Sequence, residues 1–178
     1  QYSMTRGAPG KVSDTFERAL KQFEQAKDLF ASGEGMYEKV NYNFVLARQR
    51  GLVYAYRSQF EYQSEETHKA EESLKNALDN LYAAQAQVEE HLQQHPNMHD
   101  SGLNARLLRS IGRTELDQLN IELVQESHQA ADAADKEQIF KAYGSKLEDI
   151  RRRFYNSLGF LETLNDPALA ISNYTNLL

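Results

Sequence analysis

Apolar positions recur along this chain at intervals of three and four, the signature of helices that bury one face. The first stripe runs Phe16, Ala19, Leu20, Phe23, Ala26, Leu29 and Phe30, and "SGEG" at 32–35 ends it. Asp14 and Glu17 stand at capping-box spacing, so the first helix is expected to start near Ser13–Asp14. A second helix, from about Met36 to Tyr62, carries Tyr37, Val40, Phe44, Ala47, Leu52, Ala55 and Phe60, with Gly51 marking a close contact or a kink. A third follows "QSEE" and holds Ala70, Leu74, Ala77, Leu81, Ala84, Val88 and Leu92 before Pro96 stops it. The fourth carries Leu103, Leu107, Ile111, Leu119 and Leu123. The fifth opens at Asp135, with Gln138 completing a capping box, and bears Phe140, Tyr143, Leu147, Ile150, Phe154 and Leu158. Asp166–Pro167 caps a sixth that runs to the end.

No stretch alternates with period two between turn residues, so the fold class is all-α. Short connections make consecutive helices antiparallel. About six helices therefore form either an up-down bundle or an array of helical hairpins, with 1–12 a flexible tail and 13–178 a single helical domain.

Small and bulky residues also recur together: Ala19, Phe23 and Ala26, then Ala70, Leu74 and Ala77. Gly51 is followed by Tyr54, and Pro96 closes a helix five residues after His91. These fragments resemble the tetratricopeptide (TPR) repeat, although their intervals differ from that family's 34 residues. The resemblance implies hairpins stacked around a groove that holds a peptide or a partner protein. Lipid-anchored and exported proteins of bacterial envelopes are one setting for such arrays.

Composition narrows the functions. Hydrophobic residues at 40% and charged residues at 26% suit a globular chain, and a net charge of −6 argues against nucleic acid as a partner. The absence of cysteine removes disulfides, thiolate nucleophiles and cysteine-ligated metals. No apolar run approaches the roughly 20 residues that a transmembrane helix needs. The opening "QYSMTRGAPG" reads like the stretch after a cleavage or anchoring point, which gives an extracytoplasmic expectation, periplasmic or lipid-anchored; a cloning boundary reads the same way.

Three of the five histidines, His91, His95 and His99, are spaced by four and form the candidate metal site. His91 and His95 share a helix face, while His99 lies beyond Pro96 and must fold back to join them. Against a metal stands the polar helix end, and "HLQQH" lacks the glutamate of a zinc protease. A di-iron bundle needs paired Glu-x-x-His motifs, and only Glu65–His68 has that spacing. Neither a nucleophile elbow nor a phosphate loop is present, so the chain is read as no enzyme, with no cofactor.

The second helix stands out. Tyrosines crowd it and arginines interleave them, a mixture suited to interfaces. Tyr42, Arg50, Tyr54 and Arg57 are the candidate partner-binding residues. The expected function is a non-enzymatic helical scaffold that binds a protein or peptide, with a homo-oligomer admitted. The alternative is a helical bundle that binds metal or a small ligand at 91–99.

Overall fold

The computed structural model describes residues 9–32, 36–94 and 101–162, all but the short 64–66 and 130–132 connections helical, and side chains are described at 11–29, 44–94 and 102–159. The described chain is all-α. Five helices follow one another: α1 (Pro9–Ser32), α2 (Met36–Gln63), α3 (Thr67–Gln94), α4 (Ser101–Gln129) and α5 (Ala133–Glu162). None is long and apolar enough to cross a membrane. The sixth helix expected after Pro167 lies outside the described residues.

Two helix starts differ from expectation. α1 begins at Pro9, not at Ser13–Asp14, because proline presets the helical φ and needs no N–H partner in the first turn. Thr15 Oγ1 donates to the Lys11 carbonyl at 2.8 Å and Arg18 Nε to that of Asp14 at 3.3 Å, so Asp14 is already interior. At α5 the cap is Asp132 rather than Asp135. Its Oδ1 accepts from the Ala134 and Asp135 amides at 2.8 and 2.9 Å, while Asp135 Oδ2 reaches back to the Ala131 amide at 3.2 Å. The cap therefore lies one turn before the expected Asp135–Gln138 box, with Asp135 in the place expected of Gln138.

α2 ends in a Schellman turn. Glu66 N donates to the Glu61 carbonyl at 2.9 Å and Glu65 N to that of Tyr62 at 3.1 Å. Glu65 sits between them at φ 61°, a left-handed position that usually holds glycine. It therefore shares no helix with His68, which removes the only di-iron spacing.

The chain divides into two compact units, 1–87 and 88–178. In the first, α1 pairs with α2 in antiparallel fashion: Phe16 meets Phe60 with ring centroids 6.2 Å apart, Glu17 meets Arg57, and Glu24 meets Arg50. α2 also packs antiparallel on α3. A Cβ added at Gly51 would lie 2.7 Å from Leu81 Cγ and 3.0 Å from the Ala77 carbonyl oxygen, so this glycine marks a close helix contact. Ala70, Leu74, Ala77, Leu81 and Ala84 of α3 are buried, as their spacing requires.

In the second unit α4 and α5 form an antiparallel hairpin. Ser157 Oγ donates to the Ala105 carbonyl at 2.8 Å, Phe154 covers Gly112, and Lys146 reaches Glu122 at 2.9 Å. Leu119, Tyr143, Ile150 and Phe154 form one buried cluster, flanked by Leu116, Leu123 and Ile139, and Ala105, Leu107 and Ile111 are buried as well.

Candidate functional site

The first unit is tied together by a polar network at one end. Glu61 is only 4% exposed, so its carboxylate needs partners. It accepts from Ser73 Oγ on α3 at 2.6 Å and from Arg57 Nε at 2.8 Å. Arg57 Nη1 then reaches Glu17 on α1 at 2.6 Å. Three helices thus meet through one guanidinium, two carboxylates and a serine hydroxyl. Burial works against the Arg57 charge, but Glu61 and Glu17 outweigh it and raise the guanidinium pKa. A cleft of about 300 Å³ opens beside the network, lined by Ser13, Phe16, Arg57, Phe60, Glu61 and Lys69 among others. Lys69 is paired with Glu66 at 2.8 Å, so the cleft is electrically balanced.

A second cleft, of about 280 Å³, lies between α4 and α5. Lys146–Glu122 and Arg153–Glu115 pairs, at 2.9 and 2.8 Å, cross it. Tyr143 is buried beneath Lys146, whose Nζ stands 4.8 Å from the ring centroid. Burial first, then the Glu126 and Glu122 carboxylates, push the Tyr143 hydroxyl pKa up to about 12.

The arginines and tyrosines of α2 part company in the structure. Arg50 and Arg57 turn to α1, where they pair with Glu24 and Glu17. Tyr54 is half-buried, at the angular position between the α1-facing and α3-facing sides. Tyr56 is 52% exposed and points elsewhere. With it, on the side of α2 away from the Gly51 and Glu61 contacts, stand Val45, Gln49, Leu52, Gln59 and Gln63. Their spacing alternates four and three, and Tyr42 occupies the preceding position of the same series; its side chain is outside the described set. Val45 is 39% exposed, Gln63 is exposed, and Gln49, Leu52 and Gln59 are half-buried.

None of these positions is charged, although Arg48 stands beside Leu52 and Gln59 at the edge of the seam. Other helices mix charge into their exposed faces: α3 shows His68, Glu72, Lys75 and Asp79 beside Tyr82, and α5 shows Glu137, Lys141, Glu148 and Arg152 beside Phe140, Leu147 and Tyr155. A surface helix ordinarily turns its charges to water and its apolar face to neighbours. α2 ties its Arg50 and Arg57 charges into α1 and leaves valine, leucine, tyrosine and glutamine outside. Of the four residues singled out from the sequence, Arg50 and Arg57 turn to α1, Tyr54 is half-buried, and the Tyr42 side chain lies outside the described set. The four-three spacing of uncharged residues from Tyr42 to Gln63 is visible in the sequence.

His91 is half-buried in the last turn of α3, while His95 and His99 lie outside the described residues. Among the described residues no group of three His, Asp or Glu side chains is arranged to hold a metal. The chain matches no protein-family model, no curated protein and no solved structure.

Proposed function

We propose that this chain is a non-enzymatic scaffold that binds a protein or peptide, and that the uncharged seam of α2 is its binding face. One observation carries the reading: α2 ties Arg50 and Arg57 into α1 and turns valine, leucine, tyrosine and glutamine outwards. Charged residues are depleted at the cores of protein interfaces, while tyrosine is enriched there. The seam has both properties, centred on Leu52 and Tyr56. The ion pairs Glu24–Arg50 and Glu17–Arg57 support it from behind, because they hold the helix without using its outer face. Antiparallel helices packed through small residues such as Gly51, Ala70 and Ala77 also suit a TPR-like arrangement, in which one helix surface receives the partner.

The reading is tested by co-purification from the native source. Leu52→Ala with Tyr56→Ala should lose captured partners, whereas Tyr82→Ala on α3 should keep them. Equal capture by both variants removes α2 as the binding face.

A further inference from the structure

Helix α1 is held differently from the rest of the first unit. Of its described side chains only Phe16 and Leu20 are buried, and Leu29, in the same apolar stripe, is 72% exposed. Its two charged joints to α2, Glu17–Arg57 and Glu24–Arg50, use exposed glutamates. By contrast, α3 buries Ala70, Leu74, Ala77, Leu81 and Ala84 almost completely. The cleft of about 300 Å³ stays open between α1, the end of α2 and the start of α3, with Phe16 and Phe60 on its lining. The seat of α1 is therefore not packed like a core.

We propose that α1 is a displaceable strap, and that its seat on α2 receives an acidic amphipathic helix of a partner protein when α1 lifts. This side of α2 is not the outward seam, so the two surfaces stand or fall separately.

The present occupant shows what the seat reads. Phe16 packs on Phe60, Leu20 is buried one turn further on, and Glu17 and Glu24 reach Arg57 and Arg50. At about 100° per residue, Phe16 and Leu20 form one stripe and the two glutamates its adjoining edge. The pattern is Phe-Glu-x2-Leu-x3-Glu, which a partner helix can present equally well. Guanidinium groups favour carboxylates over any neutral acceptor, and a basic helix would set like charges against Arg50 and Arg57.

Lifting α1 leaves the α2–α3 pair intact. Gly51 meets Leu81 and Ala77, and Glu61 keeps both Ser73 and Arg57, none of them through α1. Exposed ion pairs weaken with salt, so the strap opens more readily as ionic strength rises. Because α1 competes for the seat, a partner binds the closed chain more weakly by the fraction that is closed.

Hydrogen exchange of the full chain, read by mass spectrometry, tests the strap. Amides of 11–29 should exchange faster than those of 70–84, and faster again at about 1 M salt, where the Debye length is about 3 Å. The seat is tested by fluorescence anisotropy with a labelled peptide of residues 9–32. The full chain carrying Glu17→Arg/Glu24→Arg, its helicity checked by circular dichroism, should bind that peptide roughly tenfold or more tighter than the parent chain does. The same peptide with both glutamates changed to arginine should bind neither. Protection of 11–29 equal to that of 70–84 at both salts overturns the proposal. So does a variant chain that binds the peptide no better than the parent, or equal binding of the charge-reversed peptide.

Discussion

Gly51→Ala is the sharpest probe of how α2 is seated. The substitution adds one methyl to a helix interior, which by propensity alone gains about 1 kcal/mol. Here the methyl carbon would lie 2.7 Å from Leu81 Cγ and 3.0 Å from the Ala77 carbonyl oxygen. Carbon atoms rest roughly 3.5–4.0 Å apart, so α2 and α3 must separate by the best part of an ångström. Leu81 is fully buried and the Ala77 oxygen is backbone, so neither swings aside. Overpacking of this kind costs about 1–3 kcal/mol, towards the upper end where backbone must move. The net expectation is a loss of about 1–2 kcal/mol after the propensity gain. Gly144→Ala is the matched control, since a Cβ there meets nothing within 4 Å. It should stabilise by about 0.5–1 kcal/mol. Urea unfolding of parent and variants reads both, provided the m-values agree. If Gly51→Ala stabilises as much as Gly144→Ala, the close approach of α2 and α3 is wrong.

Other outcomes follow from single positions. Glu65→Gly should raise the urea midpoint, because relief of the left-handed strain is worth about 1 kcal/mol and exceeds the entropy lost to glycine. Phe154→Ala should cost about 3–5 kcal/mol, since the ring is 1% exposed and fills the space over Gly112; a loss near that of a surface residue would contradict the packing. Tyr143 gives a pH test. Its folded pKa is raised to about 12 from 10, so the folded state keeps a proton that the unfolded state releases. That contribution is complete below pH of about 10 and is lost as pH rises towards about 12. Stability profiles across that window should be steeper for the parent than for Tyr143→Phe. Glu61→Ala should destabilise by about 1–3 kcal/mol, because it leaves the buried Ser73 hydroxyl without its acceptor and Arg57 with Glu17 alone; urea unfolding reads the loss.

Much of the fold was legible because each helix repeats its buried residues at three and four. Leu74, Ala77, Leu81 and Ala84 were placed on one face of α3 by spacing alone, and they are buried. Ends were harder to read. Capping depends on which of several acidic residues wins, and Asp132 competes with Asp135 within a single turn. The Schellman turn at Glu65 carries no glycine to announce it. Long-range polar pairing was also hidden, since nothing local in the sequence says that Arg57 faces Glu17, forty positions away. That hidden pairing decides the candidate site. Arginine and tyrosine look alike as interface residues in a composition, yet on α2 Arg50 and Arg57 serve the fold and Tyr56 faces out.

The claim at the centre of this account is that α2 presents its uncharged seam for binding. A photoreactive benzoylphenylalanine placed at position 56, and in a separate variant at position 82, tests it most directly. Irradiation in the native source should give covalent protein adducts through position 56 and far fewer through position 82. Adducts in equal measure at both positions, or only at position 82, would contradict the account.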